Sequence, residues 1–267
     1  GDKTVYAQIA TNDVESDVLS AGISYAGVIR FADAEVKRLC VANFDTDGDG
    51  QISSTEAAAV TTISNTIFKG NTLITSFDEL VYFTGLTSIA DNAFQSCTAL
   101  ESISFPESLA TIGQQAFRNC TALATVNFPT YMDEIKIHAF WGCAALKILR
   151  LPDGIETANC GYQSGIEELY IPDSVKTISH FNECLSLRKV DIGTGVTTFL
   201  QNAFNNCTAL EVFIIRAGKV PSYAGWTLPD GWSGSFYVPD DLVEAYRAAN
   251  GWKNFSTSYK PLSENVE

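Results

Sequence analysis

One peptide pattern recurs down two thirds of this chain. Ala93-Phe94-Gln95-Ser96-Cys97-Thr98-Ala99-Leu100 returns as Ala116-Phe117-Arg118-Asn119-Cys120-Thr121-Ala122-Leu123, again as Ala139-Phe140-Trp141-Gly142-Cys143-Ala144-Ala145-Leu146, and once more as Ala203-Phe204-Asn205-Asn206-Cys207-Thr208-Ala209-Leu210. A fixed period of about two dozen residues is the mark of stacked supersecondary units, a solenoid. Each unit is too short to bury its own apolar face. Stacking gives neighbouring units one shared core, so the repeat decides the architecture before any other feature is considered.

The units align on the residue that follows each strand: Pro106, Pro129, Pro152, Pro172, Gly193 and Arg216. The steps between these markers are 23, 23, 20, 21 and 23 residues, so the fourth and fifth units are short. Twelve residues before each marker stands Phe94, Phe117, Phe140, Cys160, Phe181 or Phe204, and nine before stands Cys97, Cys120, Cys143, Gln163, Cys184 or Cys207. Leucine or isoleucine fills the position six before. The positions three and one before are apolar and alternate with polar residues, as in a half-buried strand. Counted this way, the fourth unit has Cys160 in the Phe column and Gln163 in the Cys column. A degenerate earlier unit fits Phe77, Leu80 and Tyr82 before Phe83, and a later one fits Phe236 and Val238 before Pro239.

The first and last strands of such a stack leave open edges that need covering. After Pro239, residues 240–249 read as a helix with Asp240 as N-cap and Leu242, Ala245, Tyr246 and Ala249 on one face, ended by Asn250-Gly251. The division expected is an N-terminal cap over residues 1–70, the repeat array over 71–239, and a capping helix and tail over 240–267.

The A-F-x-x-C-x-x-L core and the strand ending in Pro resemble the BspA-like leucine-rich repeats of bacterial surface proteins. The resemblance covers roughly residues 71–239. It implies an α/β solenoid, a leucine-rich repeat array of about six to eight units with short helical caps and strands on one face. It also implies an extracellular binding or adhesion role, commonly in gut or oral Bacteroidetes.

Composition narrows the partners. Thirty-one acidic against 17 basic residues give a net charge of −14, which disfavours nucleic acid and anionic membrane. No apolar run approaches the roughly 18 residues a membrane span needs. The chain opens on Gly1-Asp2-Lys3 without a signal peptide, so the expectation of a cell-surface location assumes a leader outside this sequence. Seven cysteines, an odd number at repeat spacing, read as a buried ladder rather than a disulfide framework, and no close C-x-x-C pair suits zinc. His138 and His180 are the only histidines and stand in no catalytic spacing, so no enzymatic activity is expected.

The strongest chemical signal is Asp45-Thr46-Asp47-Gly48-Asp49-Gly50-Gln51-Ile52-Ser53-Ser54-Thr55-Glu56, which resembles the EF-hand calcium loop. Asp45, Asp47 and Asp49 stand at positions 1, 3 and 5. Gln51 at position 7 offers its carbonyl, Ser53 at 9 a direct or water-bridged contact, and Glu56 at 12 a bidentate carboxylate. Calcium takes six to eight oxygens, and four carboxylates this close repel one another without it. Residues 33–40 read as the incoming helix with Asp33 as N-cap, and Ser54 to Ile63 as the outgoing one. Ile52 has no second loop to meet, since residues 12–17 lack the glycine and spacing of one. A lone loop is expected to stiffen the cap.

The strand residues facing away from the core are Ser102, Ser104, Thr125, Asn127, Ile148, Arg150, Glu168, Tyr170, Lys189, Asp191, Val212 and Ile214. Arg150 and Tyr170, with Glu168 and Lys189 beside them, are the candidate anchors for a protein or glycan on a host or neighbouring cell. The competing reading is a stalk that displays another element and binds nothing itself. The aromatics between Pro221 and Trp232 are expected to pack on the C-terminal cap.

Overall fold

A computed structural model describes residues 27–225, 228 and 232–265. The reading of residues 12–17, and Trp226 of the aromatic segment, lie outside the described residues.

The chain winds as a parallel solenoid of about eight turns. Each full turn contributes a strand to a long ladder and a two-residue strand to a second, shorter one. The long ladder runs Ser76–Phe77, Ser102–Ser104, Thr125–Asn127 in one sheet, and Ile148–Arg150, Glu168–Ile171, Lys189–Ile192, Val212–Ile215, Ser235–Val238, Tyr259–Pro261 in another. The shorter ladder runs Thr62–Ile63, Ser88–Ile89, Thr111–Ile112, Glu134–Ile135, and then Thr157–Ala158, Thr177–Ile178, Thr198–Phe199, Ser222–Tyr223. All named strand pairs are parallel.

The repeat columns stack as rows through the core. Phe68, Phe94, Phe117 and Phe140 form one run of near-parallel rings at centroid distances of 4.9, 5.1 and 5.5 Å. Phe181 and Phe204 resume it at 5.8 Å. Five of the cysteines form a second row. Each thiol donates to a carbonyl of the preceding turn: Cys97 to Phe68 O (3.1 Å), Cys120 to Phe94 O (3.0 Å), Cys143 to Phe117 O (3.2 Å), Cys184 to Gly161 O (2.8 Å) and Cys207 to Phe181 O (3.1 Å). All seven cysteines are free and buried. A small thiol fits this row because it is apolar enough to bury and still donates to the second lone pair of a carbonyl that already accepts a backbone N–H, as Phe94 O does from Cys97 N and Phe117 O from Cys120 N. The residue before each cysteine turns the chain in the left-handed region: Ser96 (φ 62°), Asn119 (60°), Gly142 (72°), Glu183 (59°) and Asn206 (60°).

That column corrects the alignment of the fourth unit. Gln163 (φ 48°) is the left-handed residue there, so Ser164 stands where the others have cysteine. Its hydroxyl donates to Gly161 O at 2.7 Å. Cys160 lies in the alanine column, because Phe140 N donates to its carbonyl as Phe94 N does to Ala116 O. Gly161 therefore replaces the Phe. A Cβ on Gly161 would meet the Phe181 ring at 2.5 Å, so Phe181 fills the space the missing ring leaves. The unit has lost a residue after Ser164, which shifts any count made backwards from Pro172.

Other expectations are also revised. The outgoing helix stops at Ala59, and Thr62–Ile63 instead starts the shorter ladder by pairing with Ser88–Ile89. In the degenerate first unit only Ser76–Phe77 is a strand, and Asp78–Tyr82 is a 3-10 helix. At the C-terminus the α-helix is Val243–Ala248, preceded by a 3-10 turn. Asp240 does not cap it, since its Oδ1 accepts from Ser263 N at 3.0 Å. The sheet edge is closed chiefly by the strand Tyr259–Pro261, and under the helix Trp252 donates to Pro221 O at 2.7 Å. Trp232 packs on Phe236 at 4.9 Å, as expected for cap packing.

Candidate functional site: the acidic loop and the outer sheet face

The acidic loop is built by its two helices. Asp33 caps the helix Ala34–Phe44 by accepting from Glu35 N and Val36 N, and its other oxygen accepts from Thr75 N at 2.7 Å, tying the helix to the first turn of the solenoid. The helix delivers Asp45 directly into the loop. Asp45, Asp47 and Asp49 converge, with carboxylate oxygens all within 4.8 Å of one another. Asp45 Oδ1 accepts from Gly48 N (2.6 Å) and its Oδ2 from Gly50 N (2.9 Å), while Asp49 Oδ1 accepts from Gln51 N (2.7 Å). These bonds curl the loop around the carboxylates, and the left-handed φ of Gly48 (77°) and Gly50 (80°) allows the curl.

Glu56 is placed differently. Its Oε1 accepts from Thr46 N (2.7 Å) and Thr46 Oγ1 (2.9 Å), and its Oε2 from Ser53 N and Ser53 Oγ (both 2.9 Å). Ser53 Oγ in turn accepts from Glu56 N, which completes a capping box on the short helix Ser54–Ala59. The backbone donors of Ser53 and Thr46 hold the Glu56 carboxyl down at about 2. The three aspartates are thus brought together, while Glu56 is buried against both ends of the loop. Three convergent carboxylates on a glycine-bent loop are a donor set that fits a hard divalent cation.

Ile52 does find a partner. It is fully buried, its carbonyl accepts from Ile29 N at 2.8 Å, and Ser54 N donates to Gly27 O at 2.7 Å, around an antiparallel bridge between Val28 and Ser53. A short segment ahead of the first described helix does what a second loop does in a paired site.

The four candidate anchors on the outer sheet face are neighbours. Register places Tyr170 beside Arg150 and Asp191, and Glu168 beside Lys189. The Arg150 guanidinium lies 3.6 Å from the Tyr170 ring centroid, and Lys189 Nζ 5.7 Å from the same ring. Tyr170 Oη donates to Glu168 Oε2 at 2.7 Å. Asp191 pairs in fork geometry with Arg216, both contacts at 2.9 Å. Ile148 is 49% exposed at the open edge of this sheet. Ile214, expected on the outer face, is fully buried, flanked in register by Asp191 and Tyr237.

Sequence reasoning missed a second cluster on the turn side. Arg118 stacks on Trp141 at 3.8 Å, Trp141 lies 5.1 Å from Tyr162, and His138 sits between Trp141, Tyr162 and His180 at 5.4 to 5.5 Å. Burial lowers the pKa of both histidines. Arg118, Trp141 and Tyr162 each follow the Phe column by one residue, so their stacking was readable from the repeat once the fourth unit is aligned on Gly161.

Among the described residues, no helix is long and apolar enough to cross a membrane. A search of curated proteins finds no match. Among solved structures, a T. pallidum leucine rich repeat protein is similar at 28% identity, over 68% of this chain and 79% of that one, with a TM-score of 0.44. A leucine-rich repeat protein from Bacteroides ovatus is similar at 28% identity, over 59% of this chain and 44% of that one, with a TM-score of 0.41. The pneumococcal vaccine antigen PcpA is similar at 17%, over 73% and 43%, with a TM-score of 0.43. The chain thus spans less than half the length of the last two. The family description of the BspA type leucine rich repeat region matches in six copies, over residues 61–180 and 160–220. With more than half the chain matched, and the Phe and Cys columns stacked turn upon turn, this chain belongs to the BspA type leucine rich repeat family.

Proposed function

We propose that this chain is a non-catalytic binding module, displayed outside the cell, that recognises a protein partner through the outer face of its six-stranded sheet. The observation that carries the proposal is the cluster of Arg150, Tyr170, Glu168 and Lys189 on adjacent parallel strands. Arginine and tyrosine are the residue types that dominate binding hot spots, and a sheet backbone holds them rigidly. The same proposal assigns one structural Ca2+ to Asp45, Asp47, Asp49, the Gln51 carbonyl and Glu56, with Ser53 direct or through water. The convergence of the three aspartates supports it, and Glu56 would exchange its Thr46 and Ser53 donors for the ion. Such loops suit millimolar extracellular calcium.

One observation favours the stalk reading. Arg150 already stacks on Tyr170, and the Tyr170 hydroxyl is committed to Glu168, so these groups satisfy one another without a partner. The deciding experiment presents host matrix proteins and a glycan array to the immobilised chain, beside a variant with Arg150→Ala and Tyr170→Ala. Capture of a protein by the wild type and its loss in a variant of unchanged melting temperature supports the proposal. Capture that survives both substitutions refutes this face as the binding surface, and no capture from either library leaves the stalk.

A further inference from the structure

The solenoid wall is broken at one place. Between the turn holding Thr125–Asn127 and Glu134–Ile135 and the turn holding Ile148–Arg150 and Thr157–Ala158, both ladders lose their pairing. In the shorter ladder the usual pattern is regular. Lys176 N and Thr177 N both donate to Glu156 O, at 2.8 and 3.1 Å, and Ser179 N donates to Ala158 O at 2.9 Å. One turn earlier the equivalent donors are Glu156 N, Thr157 N and Asn159 N, and the equivalent acceptors Asp133 O and Ile135 O. Among the described residues no backbone hydrogen bond joins these groups. Met132 N to Asp153 O (2.8 Å) pins the break on one side, and His138 N to Asn159 O (3.2 Å) closes it on the other.

The break opens into a cleft of about 700 Å³, lined among others by Asp133, Glu134, Lys136, Glu156, Thr157 and Asn159. Asn159 Oδ1 is buried there without a hydrogen-bond partner. Three carboxylates face one ammonium, and Lys136 Nζ lies 3.9 Å from Asp91. Water can satisfy the unmade ladder groups at the exposed Asp133, Glu156 and Thr157, but the buried Asn159 Oδ1 lacks a partner at a cost of about 1–3 kcal/mol. A ligand that supplies donors and acceptors along this edge would answer both.

We infer that this fissure takes an extended, basic peptide segment of the protein partner, which pairs with the wall as an added strand. The inference rests on the protein-binding reading above and names where the partner's main chain enters. An extended backbone carries one donor and one acceptor per residue, which answers the mixed set of free N–H and C=O groups here. A purely cationic side chain would leave the N–H groups unanswered. The acidic lining selects for lysine or arginine in the segment. A strand lies about 4.8 Å from its neighbour, so pairing with both walls spreads them to roughly twice that distance. The bonds from Met132 N to Asp153 O and from His138 N to Asn159 O, one at each end of the break, resist this.

The test uses the full chain and the heptapeptide Lys-Val-Thr-Val-Thr-Val-Lys, with the glutamate-ended counterpart as control, read by amide hydrogen exchange. Slowed exchange confined to residues 133–137 and 153–159 is expected with the basic peptide. Thr157→Pro removes one donor but leaves the carbonyls of Glu156 and Ala158 that pair onward to the next strand. It should weaken binding about three- to tenfold, the equivalent of one hydrogen bond. Glu134→Gln with Glu156→Gln, both at exposed positions, should weaken it several-fold and abolish the preference over the acidic peptide. Absence of protection at millimolar peptide, equal protection by the acidic peptide, or protection only by a saccharide overturns the inference. If the peptide fails while protein capture still depends on Arg150 and Tyr170, the fissure falls and the binding module stands.

Discussion

Phe117→Ala should be the most damaging single substitution in the solenoid core. The ring is fully buried between Phe94 at 5.1 Å, tilted by 7°, and Phe140 at 5.5 Å, tilted by 10°, with Phe105 edge-on at 5.9 Å. Removing a buried phenylalanine typically costs about 3–5 kcal/mol, as lost transfer energy plus a residual cavity. Each aromatic pair adds about 0.5–1.5 kcal/mol beyond burial, and three pairs are lost together, which places the effect at the upper end, about 4–5 kcal/mol. The cavity cannot collapse easily, because both flanking rings are fixed by their own turns. In a repeat stack the loss falls on two adjoining interfaces and weakens the coupling of the segments on either side. Urea unfolding followed by tryptophan fluorescence and by circular dichroism should therefore show a lower midpoint and separated transitions. All four tryptophans lie at or beyond residue 141, so fluorescence reports the C-terminal side alone. A cost below about 1.5 kcal/mol, with the two probes still coincident, would refute the account of the ring stack as a shared core.

Calcium should raise the melting temperature over a chelated sample. Binding to the folded state alone contributes about 2.7 kcal/mol at a hundredfold excess over the dissociation constant, and Asp45→Ala should remove the difference. Identical melts at saturating calcium contradict the structural ion. Glu56 should make the N-terminal cap acid-sensitive even without the ion. Its folded value, about 2, lies below the ordinary 4.5, so its contribution is complete above pH 4.5 and is lost as pH falls from there toward 2. Chelated samples of Glu56→Gln should lose that part of the pH dependence; a retained profile contradicts the assignment. Gly161→Ala should destabilise by about 1–3 kcal/mol, because its Cβ would lie 2.5 Å from the Phe181 ring, and a neutral result in thermal melts would mean that ring moves freely.

Much of this architecture is legible in the sequence, and the reason is periodicity. A column that must be apolar in every turn repeats itself until it is unmistakable, as Phe94, Phe117, Phe140 and Phe204 do. The shorter ladder was equally readable in Thr87-Ser88-Ile89, Ala110-Thr111-Ile112, Lys176-Thr177-Ile178 and Thr197-Thr198-Phe199, but two-residue strands are too short for an alternating pattern to register. The fourth unit resisted because a fixed offset from Pro172 assumes no deletion, and the left-handed residue that marks the true column is a backbone property. Ile214 misled because strand alternation reports which side a residue faces and not what covers that side. In the acidic loop, the identities of Asp45, Asp47 and Asp49 carried their convergence. The seating of Glu56 on Thr46 and Ser53, and the pairing of Ile52 with Ile29, depend on contacts that no local spacing encodes. The fissure is similarly hidden, since Glu134-Ile135 and Thr157-Ala158 fit their column as well as any other pair.

The central claim is that one core, built on a phenylalanine and a cysteine in each repeat except the fourth, where Gly161 and Ser164 stand in their columns, runs along the stack even where its wall is open. Thiol titration tests it most directly. Burial drives the Cys160 thiol up to about 12 and the Cys143 thiol higher still, so neither forms appreciable thiolate at neutral pH. Under native conditions at pH 8, none of the seven cysteines should react with an aromatic disulfide over an hour, and all seven should react at once in denaturant. Rapid native reaction of Cys97, Cys120, Cys143, Cys184 or Cys207, or fewer than seven free thiols after unfolding, would contradict the shared core.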